Sequence, residues 1–269
     1  TVTDMKYMFK GATSFNIDVS RWDVSSVTDM QYMFADTAAF KQDLCGASWV
    51  NSRAKKDDMF LHSSGSLSTT MCTPSTKTFS PLSNWQVKQA VLACLKLSAK
   101  GHCAEAPSST IGMWDVSRVD DMSVIFSSAR LFNADISKWD VSRVSSMSHM
   151  FARATVFTGD ISNWDVSSVA DMSSMFSSAA SYNGDISKWD VSSATDMKKM
   201  FHSAIWFNGD ISKWDVARVS DVSSMFSSAS SYNRDMSKWD VSHVTYMDGL
   251  FTFAKVFNHD ISKWDVSSA

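Results

Sequence analysis

Residues 139–151 read WDVSRVSSMSHMF, and this stretch recurs along the chain with a fixed period. Its tryptophan is followed by Asp-Val, and a Met-x-x-Met-Phe block begins eight residues later. Seven tryptophans lie 25 residues apart without a slip: Trp114, Trp139, Trp164, Trp189, Trp214, Trp239 and Trp264. Chance does not place seven tryptophans on one period, so the chain is a repeat protein.

The period organises two blocks and is lost between them. Repeats occupy residues 1–42 and 113–269, and residues 43–112 interrupt them. The interruption carries a Ser/Thr-rich stretch with prolines, all four cysteines, and an apolar spacing that predicts a helix over about residues 85–97. We therefore expect two repeat blocks separated by an irregular and helical segment.

Each repeat predicts one short strand and one short helix. Two-fold alternation in residues 137–142 predicts a strand with Trp139 and Val141 inward and Lys138 and Asp140 outward. In the Met-Phe block the apolar residues are three or four apart, which predicts a helix. The period lies in the range of leucine-rich repeats. The predicted fold class is an α/β repeat solenoid, leucine-rich-repeat-like, whose 25-residue coils each contain one short parallel strand and one short helix.

Stacking such coils in register would bury the tryptophans as one column and the Met-Phe blocks as another. Because a single coil cannot cover its own apolar side chains, each depends on its neighbours. An asparagine column is expected to turn inward and to bond to turn backbone between coils. Its members are Asn16, Asn133, Asn183, Asn208, Asn233 and Asn258, and Thr158 replaces one of them.

The cysteines are Cys45, Cys72, Cys94 and Cys103. An even number in the segment that lacks repeat support predicts two disulfides bracing irregular structure. Of three connectivities we expect the local one, Cys45–Cys72 and Cys94–Cys103. Free buried thiols and a zinc site are the alternatives, although no C-x₂-C pair occurs and His102 is the one histidine close by in sequence. Disulfides would indicate an oxidising, extracellular setting.

Composition and motifs exclude several classes of protein. With 44% hydrophobic and 20% charged residues, the 269-residue chain is neither disordered nor a membrane span, and no apolar stretch reaches transmembrane length. A net charge of −3 leaves no basic excess for phosphates, so nucleic acid is not an expected partner. The common nucleotide-binding, zinc-hydrolase and nucleophile motifs do not occur, and the histidines are scattered. We predict no catalytic residue, no cofactor and no metal site.

Exposed charges of the repeats form the candidate binding face. Its members are Lys138, Asp140, Lys188, Asp190, Lys213, Asp215, Lys238 and Asp240. A line of aspartates at strand spacing costs free energy unless it is compensated. Salt bridges to the lysine column, or hydrogen bonds from turn amides and serine hydroxyls, are the expected compensation. Calcium is the alternative, although the chain has only nine glycines, too few for glycine-rich calcium-binding turns.

The pattern Trp-Asp-Val-Ser-x-Val-x-Asp-Met-x-x-Met-Phe, followed by Phe-Asn-x-Asp-Ile-Ser, resembles the BspA-like leucine-rich-repeat surface proteins. Within that family it is similar to the class with roughly 25-residue repeats that is common in mycoplasma lipoproteins and in algal and protist surface proteins. The resemblance covers residues 1–42 and 113–269. It implies a surface-exposed protein that binds host or matrix proteins or contributes to a cell coat, and that is not an enzyme.

We therefore expect a non-enzymatic extracellular or cell-surface protein that acts by protein–protein contact. It would be a structural subunit of a surface fibre or coat, or an adhesion module. The alternative is a glycan- or peptide-binding module that uses the candidate binding face. Both ends of the sequence fall in repeats without a polar cap, so the chain continues, another molecule covers the ends, or the ends are tolerated. Copies of the chain stacked end to end are one expected partner.

Overall fold

The computed structural model describes residues 2–17, 19–20, 22–69, 79–103 and 110–269. The chain divides into two compact units, Thr1–Thr76 and Lys77–Ala269, and the boundary falls inside the predicted interruption. The N-terminal unit contains β1 (Asp43–Leu44), α1 (Ala47–Val50) and β2 (Ser66–Leu67), and β1 pairs with β2 in parallel. The C-terminal unit contains α2 (Asn84–Leu97) and a 3₁₀ turn at Ile111–Met113. Among the described residues, no helix combines the length and the apolarity that crossing a bilayer requires.

The predicted α/β solenoid of strand–helix coils is wrong. Residues 114–269 form turns and isolated bridges, with neither a strand nor a helix. Two residues in each Met-Phe region have positive φ, for example His149 at 57° and Arg153 at 61°. A left-handed residue every four positions stops a right-handed helix before it completes a second turn. The three-to-four spacing of the apolar residues therefore does not produce a helix.

The backbone of the Met-Phe region bonds alternately within its repeat and to the next repeat. Met147 N–H donates to Asp171 O and Phe151 N–H to Met175 O, both at 2.9 Å, while Met150 N–H closes a turn onto Met147 O at 3.1 Å. Isolated parallel bridges mark the same pairing along the C-terminal unit. They join Asp121, Ser146, Asp171, Asp196, Asp221 and Tyr246 in succession. Neighbouring repeats thus satisfy each other's buried backbone groups without extended strands.

The segment predicted as a strand, residues 137–142, is also a pair of turns. Trp139 N–H bonds to Ile136 O at 3.1 Å, and Val144 N–H bonds to Val141 O at 2.9 Å. The in–out alternation is nevertheless present, because Trp139 and Val141 are buried while Lys138 and Asp140 are exposed. The alternation of apolar and polar residues therefore predicts which side chains are buried here, but it does not predict an extended strand.

Aromatic columns fill the core of the C-terminal unit. The ring of Phe176 lies 5.6 Å from that of Phe151 and 5.7 Å from that of Phe201, in nearly parallel planes. Each buried tryptophan from 139 to 239 donates its indole N–H to a backbone carbonyl 28 residues earlier, as Trp214 does to Ile186 O at 3.1 Å. Trp114 is also buried and Trp264 is half-buried. The indoles thus combine apolar burial with a satisfied polar group.

The N-terminal unit has its own aromatic core. The rings of Phe34 and Phe40 stack at 4.2 Å, and Phe9 and Phe60 lie on either side of Phe34 at 5.5 and 5.7 Å. Trp49, from α1, is fully buried and donates its indole N–H to a backbone carbonyl at 2.9 Å. The same combination of stacked rings and a bonded indole therefore organises both units.

Helix α2 confirms the helix predicted over about residues 85–97. Its N-terminus is capped by the Ser83 hydroxyl, which accepts a hydrogen bond from Gln86 N–H at 3.4 Å. The predicted Cys94–Cys103 disulfide is present, so the free-thiol and zinc alternatives are wrong for this pair. Cys45 is disulfide-bonded, whereas its predicted partner, Cys72, lies outside the described residues.

Candidate functional site

All eight residues of the candidate binding face are exposed in the C-terminal unit. Each lysine and aspartate flanks a buried tryptophan, so the spacing of the tryptophans sets the spacing of the charges. The rings of Trp189 and Trp214 are 6.4 Å apart. Asn163 occupies the lysine position in one repeat. The structure thus brings the predicted residues into two lines. The lysine row consists of Lys138, Lys188, Lys213 and Lys238, and the second aspartate row consists of Asp140, Asp190, Asp215 and Asp240.

The second aspartate row is held by the turn that follows it. Asp140 Oδ1 accepts the backbone N–H of Ser142 at 3.1 Å and its hydroxyl at 2.7 Å. Asp240 has the same two bonds from Ser242, and the Ser242 hydroxyl holds the pKa of Asp240 below its usual range. Bonding to turn amides and serine hydroxyls is therefore the compensation that the sequence predicted.

The predicted salt bridges between the lysine row and the second aspartate row do not form. In the part of the chain that the structure describes, the carboxylates that meet a basic side chain are Asp36, which contacts His62, and Asp221, which contacts Lys198, and neither pair belongs to the candidate binding face. No group of three or more potential metal ligands occurs among these residues either, so the calcium alternative has no ligand cluster there. The lysine ammonium groups of the face point into solvent without a bonded carboxylate.

Sequence reasoning missed a further line of carboxylates, which we call the first aspartate row. Its members are Asp135, Asp160, Asp185, Asp210, Asp235 and Asp260. Each accepts the backbone N–H of the serine two residues later, at 2.9–3.0 Å. The Ser187 hydroxyl and N–H lower the pKa of Asp185, and the charge of Lys188 lowers it further. The repeated Asp-Ile-Ser triplet is the signal that could have found this row, because Asp two residues before Ser favours such a turn.

The asparagine column lies at the surface, so its predicted inward orientation is wrong. The predicted bonds between repeats are present: Asn183 Oδ1 accepts Asn208 N–H at 2.8 Å, and Asn208 Oδ1 accepts Asn233 N–H at 3.0 Å. The backbone N–H groups that need an acceptor lie at this outer edge of the repeats. The amides therefore point along the column and not into the core.

Comparison with protein families gives one result. A family model described as "Mycoplasma protein of unknown function, DUF285" matches residues 1–70, 96–205 and 183–269. The comparison with curated proteins found no match, and neither did the comparison with solved structures. The matched segments leave out only residues 71–95, which lie in the predicted interruption. The chain therefore belongs to this family of Mycoplasma-type proteins of unknown function, DUF285.

Proposed function

We propose that the chain is a non-enzymatic extracellular or cell-surface repeat protein that acts by protein–protein contact, in the manner of the BspA-like surface proteins that its repeat resembles. The observation that carries the proposal is the lysine row, whose members each fall in sequence between an aspartate of the first row and one of the second. Its ammonium groups are exposed and have no bonded carboxylate among the described residues. Repetition at one spacing presents the same charges to a partner many times.

The aspartates on both sides of the lysine row are suited to recognition because they are already ordered. Asp185 is bonded to Ser187 N–H at 3.0 Å, and Asp190 is bonded to Ser192 N–H at 3.0 Å. A side chain that is fixed before binding loses little conformational entropy when a partner arrives. Complementary charges also set the register and speed the encounter. An extended protein segment with alternating charges is the partner that these rows fit.

The Cys94–Cys103 disulfide supports the extracellular part of the proposal. Structural disulfides persist in oxidising compartments and are rare in reducing ones. Here the bond closes the loop directly after α2, and both cysteines are buried against the core of the repeats. A structural disulfide of this kind is typical of an extracellular protein.

The test is a charge reversal on the lysine row. Replacing Lys138, Lys188 and Lys213 by Glu should weaken self-association, or binding to immobilised extracellular-matrix proteins, by at least about ten-fold, since each lost charge pair contributes to the same interface. Sedimentation velocity measures the first and surface plasmon resonance the second. Self-association would indicate a fibre or coat subunit, and matrix binding an adhesion module.

The matched control replaces Arg130, Arg153 and Lys199 by Glu. These residues are exposed, lie outside the lysine row, and change the net charge by the same amount. Binding by the control should equal that of the unaltered chain. The proposal fails if the unaltered chain is monomeric and binds no matrix protein, or if both triple variants lose binding equally.

A further inference from the structure

One site in the C-terminal unit departs from the repeat. The residue after the asparagine column is small in four repeats and is a long basic or imidazole side chain in the last two. These positions are Ala134, Gly159, Gly184, Gly209, Arg234 and His259. A Cβ at Gly184 would lie 2.8 Å from Tyr182 Oη, and one at Gly209 would lie 3.0 Å from Phe207 Cε2. A side chain here crowds the preceding aromatic ring, so Arg234 and His259 break a local rule in the way that functional residues do.

Both of these larger side chains are anchored to the repeat before them. Arg234 Nε donates to Asn208 O at 2.8 Å, and His259 Nε2 bonds to Asn233 O at 3.3 Å. The remaining N–H donors of the Arg234 guanidinium have no acceptor among the described residues, and neither Arg234 nor Lys238 forms an ion pair there. The Arg234 guanidinium is thus held in place by backbone and keeps N–H donors that a ligand could use.

Carboxylates of the first aspartate row complete the site. Asp210 accepts Ser212 N–H at 3.0 Å and Asp235 accepts Ser237 N–H at 2.9 Å, in each case through Oδ1. These N–H groups lower the pKa of each carboxyl, so both aspartates are ionised at neutral pH. Their Oδ2 atoms remain as acceptors. Ionised carboxylates bind hydroxyl donors well.

These groups line an open surface cavity of about 290 Å³, and its lining residues are Asp210, Ser212, Asn233, Arg234, Asp235, Lys238 and His259. That volume is at the small end of ligand pockets, which suits one sugar ring and not an extended chain. A ligand that uses both signs of charge must carry an anion for the cations and hydroxyl donors for the carboxylates. We propose that this cavity binds a sugar acid, a hydroxylated ring with one carboxylate.

In this arrangement the ligand carboxylate pairs with Arg234 and Lys238. Guanidinium and ammonium groups bind a carboxylate through short, charge-assisted hydrogen bonds. The ring hydroxyls donate to the Oδ2 atoms of Asp210 and Asp235. A neutral sugar would lose the first set of contacts, and a simple carboxylate would lose the second. The site requires both. It shares Lys238 with the lysine row, but binding of a small sugar acid is measured without a protein partner, so the two proposals are tested separately.

The test compares three probes by NMR titration: glucuronate, glucose and acetate. Glucuronate should bind at least about ten-fold more tightly than either of the others, because each of these lacks one set of charge-assisted contacts. The double variant Arg234→Gly, His259→Gly should weaken glucuronate binding by about ten-fold or more. It should fold, because glycine occupies the equivalent position in three neighbouring repeats. Lys238→Ala, at an exposed position, should weaken binding several-fold and serves as a second variant.

The matched control is Lys199→Ser, which removes one positive charge at a position where two neighbouring repeats have Ser174 and Ser224. Its affinity for glucuronate should equal that of the unaltered chain. The proposal is overturned if glucuronate does not bind or binds no better than glucose. It is also overturned if folded Arg234 or Lys238 variants bind normally, or if the control loses as much affinity as they do.

Discussion

Two repeats of the C-terminal unit share residue types but differ in burial. Phe201 and Phe207 are fully buried, whereas the equivalent Phe251 and Phe257 are half-buried. The ring of Phe201 lies between two neighbouring rings, each 5.7 Å away, while Phe251 contacts a neighbouring repeat on one side, with Phe226 at 5.8 Å. The burial of an aromatic residue here depends on the repeat beside it more than on its own repeat.

The first repeat of the same unit shows that the covering element does not have to be a repeat. Helix α2 contributes Val87 and Val91 to the same core as the repeats, and Gly101 lies against the ring of Phe132. Asn133 N–H bonds here to Lys100 O at 3.2 Å, whereas the equivalent N–H in four later repeats bonds to an asparagine side chain. A non-repeating segment thus supplies the apolar cover and the hydrogen-bond acceptor that a neighbouring repeat supplies elsewhere.

The largest expected effect comes from removing a ring that is covered on both sides. Phe201→Ala should lower the free energy of unfolding by about 3–5 kcal/mol, because it leaves a cavity between two repeats. The matched Phe251→Ala should cost about 1–2 kcal/mol, since its ring is already partly in water. Urea unfolding followed by tryptophan fluorescence measures both. Equal losses would contradict the dependence of burial on the neighbouring repeat.

The next largest expected loss of stability concerns helix α2 and the loop that follows it, which pack on the first repeat of the C-terminal unit. The double variant Cys94→Ala, Cys103→Ala should lower the free energy of unfolding by about 2–3 kcal/mol, because the bond closes a short loop in the unfolded chain. The sequence separation of the two cysteines is 9. Urea unfolding under non-reducing conditions isolates this pair, because Cys45 keeps its own disulfide. An unchanged urea midpoint would mean that packing alone holds helix α2 and its loop against the repeats.

The smallest effect compares two members of the asparagine column. Asn208→Ala removes the acceptor of Asn233 N–H and should cost about 0.5–1.5 kcal/mol. Asn258→Ala should change the free energy of unfolding by less than about 0.5 kcal/mol, since its side chain has no hydrogen bond to the described residues. Chemical denaturation with replicate titrations resolves the difference. If Asn258→Ala cost as much as Asn208→Ala, the hydrogen bond between repeats could not be the source of the loss.

Much of the core could be predicted from the spacing of apolar residues. Trp139 and Val141 are inward and Lys138 is outward, as their alternation indicates. The Asp-Ile-Ser turns could also have been predicted, because a short carboxylate two residues before a serine N–H favours that bond. Arg234 and His259 could be found only by comparing equivalent positions across repeats. That comparison shows that the two positions differ from the other repeats, but the cavity that these residues line depends on side chains brought together from three repeats.

The period, the apolar columns, helix α2 and the Cys94–Cys103 pairing follow from the order of amino acids, because they depend on local spacing and chemistry. The backbone between the columns does not. Val124, Arg153 and Lys199 all have positive φ, although no side chain among them favours that region. Such a conformation costs about 1–2 kcal/mol for each residue and is stable only where neighbouring repeats supply the hydrogen bonds that offset it. Hydrogen bonds between residues that are far apart in sequence therefore give each repeat turns where a strand and a helix were expected.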